Sequence, residues 1–197
     1  MNRREALKNT GIAAGAGVLM PSFLFLLQSC KNEPKLGWQP QFLNIEEAKM
    51  LTALIDVILP KTDTPGGLDV NVDKFLDKVF AEMYDESAQQ AVRKDMAAFN
   101  ANCVEKFGNT FDQLDDQQQV TILKAEEANG GQFNPGVWGT AVGEQGPISF
   151  YRSLKSMMLW AYLSSEEIGK HVLNYDPIPA AYIGCMPLAE VGNKWSL

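Results

Sequence analysis

Apolar residues recur at helical spacing along most of the chain. Side chains three and four positions apart lie on the same face of a helix, and four segments have an apolar face of this kind. The four stripes are Ile45, Ala48, Leu51, Ile55 and Ile58; Val72, Phe75, Leu76, Val79, Phe80 and Met83; Val92, Met96, Phe99, Cys103 and Phe107; and Phe150, Tyr151, Leu154, Met157, Met158 and Ala161. The pattern predicts four amphipathic helices, each of which buries one face.

Capping residues predict where helices begin and end. Asn44 followed by Glu47 fits a capping box, and Pro60 stops the first helix because it has no backbone N–H. The other predicted boundaries are 87–107 with Gly108 as the stop, Asp115 with Gln118 through Asn129 and Gly130, and Ser164 with Glu167 through Leu173. No stretch alternates apolar and polar residues for long enough to predict a strand. The predicted fold class is all-α, a small bundle of five to six helices.

Two segments interrupt the helical pattern. Residues 129–146 hold six glycines, without either of the glycine patterns that cradle a phosphate. A connection of this length within a compact domain is usually functional or mobile. Residues 174–197 contain Pro177, Pro179 and Pro187, which predict an extended arm with aromatic residues rather than a regular helix.

The amino terminus has the character of an export signal. Arg3 and Arg4 precede an uncharged run of 17 residues, 11–27, and together they resemble a twin-arginine signal, which exports proteins already folded. The general secretory route is the alternative. A spanning helix needs roughly 20 apolar residues, and glycines and Pro21 break this shorter run. It therefore suits a signal peptide better than a membrane anchor.

Residues 27–30, Leu-Gln-Ser-Cys, follow that run and resemble a bacterial lipobox. On this interpretation the chain is cleaved before Cys30, which carries the lipid, and the protein is periplasmic and anchored to a bacterial membrane. The alternative is an uncleaved membrane helix with an incidental cysteine. The predicted organisation is an export signal over 1–29, a lipidated tether over 30–43 and a single helical domain over 44–197.

The predicted mature chain is acidic. Residues 1–29 carry three basic residues and one acidic residue, so removing them changes the net charge from −7 to −9. Nucleic-acid binding needs clustered Lys and Arg, and the chain has no basic cluster beyond the leader. Nucleic acid is therefore not a predicted partner.

Few residues of the predicted domain carry recognisable chemistry. His171 is the only histidine and no Cys-x-x-Cys pair is present, so a metal site built from His or Cys is not predicted, and His171 is expected at the surface. Asp69, Asn71 and Asp73 have the opening spacing of a calcium loop, but its glycine and bidentate glutamate are missing. We predict that these three residues cap a helix. No catalytic, cofactor-binding or metal-binding residue is assigned to this chain.

Three stretches together carry motifs that are specific enough to indicate a protein family. Residues 51–80 contain Ile58-Leu59-Pro60 followed by Thr62-Asp63-Thr64-Pro65-Gly66, and residues 111–127 are a generic helix. The third stretch, 150–185, carries Tyr162, Ser165, Gly169, Tyr175, Pro177, Pro179, Tyr182, Gly184 and Cys185. Together they resemble the small-subunit family (subunit 3) of membrane-bound gluconate 2-dehydrogenase. Two positions depart from that family: Gly67, where alanine is commoner, and Ala180, where glycine is expected.

The resemblance implies a non-catalytic accessory subunit of a periplasmic, membrane-associated dehydrogenase that oxidises sugars or polyols. The large subunit would be an FAD-dependent enzyme of the glucose-methanol-choline type, and a cytochrome c subunit or domain with haem c could take the electrons. That partner would load FAD in the cytoplasm and cross the membrane on the signal of this chain. Two alternatives stay open: a free-standing periplasmic lipoprotein that binds a sugar or another protein, and an enzyme in its own right.

The carboxyl-terminal arm is the predicted partner interface, because aromatic residues are enriched at interface cores. The predicted interface residues are Tyr175, Pro177, Pro179, Tyr182, Gly184, Cys185 and Trp195. The alternative is an arm that wraps its own bundle. An oxidising compartment would allow Cys185 to form a disulfide, either with the large subunit, which we favour, or with Cys103.

Overall fold

The described part of the chain is helical. The computed structural model describes residues 36–133, 136–137, 140–141, 144, 146–178 and 184–196. Its helices are α1 (Ile45–Ile58), α2 (Val72–Glu82), α3 (Glu86–Phe107), α4 (Asp116–Asn129), α5 (Phe150–Leu163), α6 (Glu166–His171) and α7 (Leu188–Val191), with a 3₁₀ turn at Phe111–Gln113. The predicted all-α fold class is confirmed.

Local capping chemistry sets most helix ends where the sequence predicts them. The Asn44 side chain accepts a hydrogen bond from the Glu47 amide at 2.8 Å, and the Glu47 carboxylate accepts one from the Asn44 amide at 2.9 Å. Asp115 and Gln118 form the same reciprocal pair before α4. Gly108 ends α3 with φ of 80°, a left-handed conformation that glycine adopts without a steric penalty.

Two predicted helix caps are wrong, that of the sixth helix and that of α2. Ser164 does not cap the sixth helix: it ends α5, where its hydroxyl donates to the Trp160 carbonyl at 2.7 Å, and Ser165 occupies the N-cap of α6. The arm contains one helical turn, α7, which begins directly after Pro187. Proline is tolerated there because a helix start needs no N–H donor.

Asp69, Asn71 and Asp73 do not cap α2 with their side chains. Asn71 sits at the N-cap position with φ of 57° and makes no side-chain capping bond; its side chain accepts instead from Lys74 Nζ at 2.6 Å. Asp69 accepts from the Gly66 amide at 2.9 Å, within the turn that precedes α2. Asp73 is buried.

The glycine-rich loop carries a minimal antiparallel hairpin that the sequence did not predict. Strand β1 (Gly136–Val137) pairs with β2 (Thr140–Ala141), with Gly136 opposite Ala141 and Val137 opposite Thr140. Two-residue strands are too short to show an alternating pattern in a sequence. At the base of the loop, the Ser149 amide donates to the Gly130 carbonyl at 2.9 Å.

The core forms around α5, which packs against α2, α3, α4 and α6, while α1 packs against α2 and the 3₁₀ turn. The largest fully buried side chains are Phe80, Phe111, Met50, Leu51, Leu54, Ile55, Leu76, Met96, Ile122, Met158, Ile168 and Val72. They come from every helix from α1 to α6 and from the 3₁₀ turn. Tertiary packing of these apolar faces is therefore the main source of stability.

A buried carboxylate holds the segment before α1. Asp77 of α2 is only 2 % exposed. Its Oδ1 accepts from the amides of Phe42 at 3.1 Å and Leu43 at 2.8 Å, and its Oδ2 accepts from the Gln41 amide at 2.6 Å. Three such donors compensate the cost of burying a charge.

Arg93 of α3 holds the same segment from the other side. Its guanidinium donates to the Phe42 carbonyl at 2.5 Å and to the Glu47 carboxylate at 2.7 Å, and lies 4.3 Å from the centre of the Phe42 ring. We call Asp77 and Arg93 the N-terminal clamp. The compact unit accordingly begins at Trp38, so residues 38–43, predicted as the end of the tether, are part of the folded domain.

Candidate partner-binding surface

The turn between α1 and α2 is closed by its own backbone. The Gly67 amide donates to the Leu59 carbonyl at 2.8 Å, and the Val72 amide donates to the Gly67 carbonyl at 3.0 Å. A Cβ on Gly66 would lie 2.8 Å from the Lys61 nitrogen, and one on Gly67 would lie 2.6 Å from Ile55 Cγ2. In this chain both glycines are therefore required by close packing.

Asp69 stabilises the turn electrostatically. Its carboxylate accepts from the Gly66 amide at 2.9 Å and lies 3.3 Å from Lys61 Nζ. The Gly66 hydrogen bond and then the Lys61 ammonium hold the pKa of Asp69 below its usual range. A depressed carboxyl pKa stabilises the fold above the unfolded-state pKa, and that contribution is lost as the pH falls through the folded-state pKa.

Tyr162 joins this turn to the end of α5. Its hydroxyl donates to the Pro65 carbonyl at 2.7 Å, across 97 positions of sequence. The Ser165 hydroxyl donates to the Tyr162 carbonyl at 2.7 Å. Residues 51–80 and 150–185, the first and third stretches of the family pattern, therefore meet at one end of the bundle.

A polar groove lies between the turn and α6. It has a volume of about 710 Å³. Its lining residues are Lys61, Thr62, Asp63, Thr64, Pro65, Asp69, Val70, Asn71, Ser165, Glu166, Glu167 and His171. We call it the motif groove. Among the residues that the structure describes, no group of three or more His, Cys, Asp or Glu side chains is arranged to hold a metal ion.

Ion pairs along α6 set the electrostatics of the groove. Glu166 lies 2.6 Å from Lys170, and this hydrogen bond lowers the pKa of Glu166 and raises that of Lys170. His171 is 4.0 Å from Glu167, and its side chain is 64 % exposed, as predicted for a surface histidine. The groove is lined by paired and exposed charges, which suits hydrogen-bonded contact with a polar surface.

Hydrogen bonds join the two ends of the carboxyl-terminal arm. Asn174 pairs with Trp195 in a parallel bridge: the Asn174 amide donates to the Lys194 carbonyl and the Ser196 amide donates to the Asn174 carbonyl, both at 2.9 Å. The Asn174 side chain also donates to the carbonyls of Val191 and Asn193. This asparagine therefore fixes both ends of the arm beside α6.

The arm presents apolar side chains to solvent. Of the predicted interface residues, Tyr175 is 40 % and Trp195 is 45 % exposed, and Pro177, Gly184 and Cys185 are also exposed. Two residues that the sequence analysis did not single out are more exposed still, Ile178 at 84 % and Leu188 at 87 %. The predicted residues Pro179 and Tyr182 lie outside the described part of the chain.

In a comparison with protein-family models, the model for gluconate 2-dehydrogenase subunit 3 matches residues 45–180. The match covers more than half of the chain. The chain belongs to the gluconate 2-dehydrogenase subunit 3 family. No curated protein and no solved structure matches it significantly. The turn at 59–71, Tyr162, the motif groove and the start of the arm all lie within the matched region.

Both described cysteines are free thiols in this family member. Cys103 is fully buried on α3, and burial, together with the nearby Glu126 carboxylate, raises its pKa to about 11. Cys185 is exposed on the arm. Pairing of Cys185, with the large subunit or with Cys103, stays a prediction.

The predicted targeting residues Arg3, Arg4 and Cys30 lie outside the described residues. Among the helices that the structure does describe, none is both long and apolar enough to cross a membrane.

Helical spacing did not predict correctly which apolar residues stay at the surface. The spacing predicts Phe75, Met83 and Met157 on buried stripes, but Phe75 is 41 % and Met83 is 77 % exposed. Met157 is half-buried, whereas its neighbour Met158 is fully buried. Trp160, at 60 % exposure, was not singled out. These residues lie at the edge of an apolar stripe, where spacing alone does not separate core from surface.

Proposed function

We propose that this chain is a non-catalytic accessory subunit of a periplasmic, membrane-associated, FAD-dependent sugar or polyol dehydrogenase. In this proposal it is required for the export, stability and membrane attachment of the large flavoprotein subunit. Its family is that of a gluconate 2-dehydrogenase subunit, which supports membership in a dehydrogenase complex. FAD belongs to the large subunit, and haem c to a further cytochrome c subunit or domain.

The observation that carries the proposal is the exposed apolar surface of the arm. Ile178 and Leu188 are each more than four-fifths exposed, close in sequence to half-exposed Tyr175 and Trp195. Burying one such side chain is worth about 1.5–3 kcal/mol. Exposed apolar residues that cluster on one segment typically mark a contact surface, and a tight subunit interface would cover them.

Export of a folded partner explains the amino terminus. Arg3 and Arg4 fit a route that carries folded proteins, and no residue of this chain is predicted to bind a cofactor. A large subunit that loads FAD before export, and travels bound to this chain, would need such a route.

Lipidation of Cys30 would hold the complex close to the membrane. The compact unit begins at Trp38, so eight residues separate a lipid on Cys30 from that unit. At about 3.3–3.6 Å per residue, a chain of eight residues spans at most about 29 Å. The large subunit would therefore stay near the surface of the bilayer.

Arginine substitution tests the shared export directly. The Arg3→Lys, Arg4→Lys double variant of the full-length chain is co-expressed with the large subunit, and dehydrogenase activity is measured in periplasmic and cytoplasmic fractions. We expect the activity to remain in the cytoplasm, and Lys8→Arg, which keeps the arginine pair, to leave it periplasmic. Periplasmic activity with the double variant would contradict export of the large subunit on the twin-arginine signal of this chain.

A further inference from the structure

A second apolar surface runs along the line where α2 packs against α5. It consists of Phe75 and Val79 on α2, Met83 at the C-cap of α2, and Met157 and Trp160 on α5, and we call it the α2–α5 seam. Phe75, Val79 and Met83 are four positions apart, which places them along one side of the helix and its cap. The Phe75 and Trp160 rings lie 5.7 Å apart, so the two helices contribute to one continuous surface.

The seam is open to solvent although it is apolar. Met83 is 77 %, Trp160 60 % and Phe75 41 % exposed, and Val79 and Met157 are half-buried. Phe75 and Trp160 differ from scattered surface apolar residues because their rings adjoin across two helices. Contiguous exposed apolar surface is typical of a contact site.

The composition of the seam is that of an interface core. Two aromatic residues and two methionines make up most of it. The neighbouring exposed positions on α5 are Ser153 and Ser156, with Ser164 at its C-cap, and on α2 the exposed Lys78–Glu82 ion pair forms the rim. Cores of protein interfaces are enriched in aromatic residues and methionine and depleted in charge. Methionine also adapts its shape to a partner surface.

The seam connects two clefts. At one end, Asn71 of the motif groove precedes Phe75 by one helical turn, and Ser165 of the same groove follows the end of α5. At the other end lies a cleft of about 260 Å³ whose lining includes Tyr84 and Met157, and the Tyr84 hydroxyl lies 3.4 Å from Met157 Sδ. The seam is therefore elongated, and all of its residues lie within the region that the family model matches.

We infer that the α2–α5 seam docks an uncharged, apolar segment of the large dehydrogenase subunit. The inference rests on the proposed function and extends its interface from the arm to the helical bundle. A second copy of the chain is the weaker occupant, because without residues 1–29 each copy carries a net charge of −9 and like charges oppose self-association. Because the chain belongs to a family of dehydrogenase subunits, another subunit of the complex is the expected partner.

Lysine substitutions at exposed positions test the seam without disturbing the core. Trp160→Lys and Met83→Lys are made in the full-length chain, with Val104→Lys as the matched control. Val104 is 46 % exposed on α3, about 14 Å along that helix from the nearest cleft residue, Asp95. Each variant is co-expressed with the large subunit, and the dissociation constant of the purified pair is measured in detergent, with circular dichroism as the check on folding.

We expect both seam variants to weaken binding of the large subunit at least tenfold and the Val104 variant to change it less than twofold. If the wild-type pair binds and all three variants bind within twofold of it, the seam inference is overturned while the accessory-subunit proposal stands. If the wild-type chain binds no large subunit, both fall. A wild-type chain that is dimeric alone and becomes monomeric on Trp160→Lys would also overturn the inference, because a second copy would then cover the seam.

Discussion

Replacing Asp77 by asparagine should release the segment before α1. The carboxylate accepts three amide hydrogen bonds, two at Oδ1 and one at Oδ2. Asparagine keeps one acceptor oxygen but places an NH₂ donor opposite the Gln41 amide. A hydrogen bond to a charged group is worth about 1.5–3 kcal/mol, so we expect a loss of about 2 kcal/mol in the free energy of unfolding. For a domain of this size that lowers Tm by roughly 4–8 °C.

Thermal and denaturant unfolding measure the global loss, and amide hydrogen exchange of Gln41, Phe42 and Leu43 measures release of the segment itself. Asp56→Asn is the matched control, because Asp56 is exposed on α1 and such surface changes usually stay within about 0.5 kcal/mol. If the Asp77 and Asp56 variants unfold at the same midpoint, and the three amides stay equally protected in both, the clamp does not hold the segment.

Three further changes test separate parts of the account. Tyr162→Phe should cost about 1 kcal/mol, because it removes the hydrogen bond to the Pro65 carbonyl; thermal unfolding equal to wild type would show that the bond adds nothing. Cys30→Ser should abolish acyl labelling and release the protein from membranes, whereas an unmodified Cys30 in the wild-type mass spectrum would rule out lipidation. On a non-reducing gel, a band at the summed mass of the two subunits should appear for wild type and vanish for Cys185→Ser. A chain-sized band with both Cys103 and Cys185 protected from alkylation until reduction would indicate the internal bridge instead.

The helical fold was predictable because its strongest signals are local. Asn44 with Glu47, Asp115 with Gln118, and Gly108 each act within one helical turn, so a short stretch of sequence contains the whole interaction. The Ser164–Ser165 boundary failed because both serines suit a cap. The last hydrogen bonds of α5 decide which of the two serines becomes the N-cap of α6.

Long-range partners were not predictable. Asp77 has the character of a surface carboxylate in the sequence, and only folding brings the segment around Leu43 against it. The contact between Tyr162 and Pro65 likewise depends on the tertiary fold. Met157 and Met158 are adjacent and equally apolar, and only the packing of α5 decides that Met158 enters the core.

The most direct test of the accessory-subunit proposal is isolation of the full-length chain from membranes in mild detergent after co-expression with the large subunit. The mass and the visible absorption spectrum of the purified material are then measured. We expect a yellow complex that contains both chains, shows a flavin spectrum and oxidises a sugar or polyol. A colourless chain of its own mass, with an active large subunit recovered separately, would contradict it.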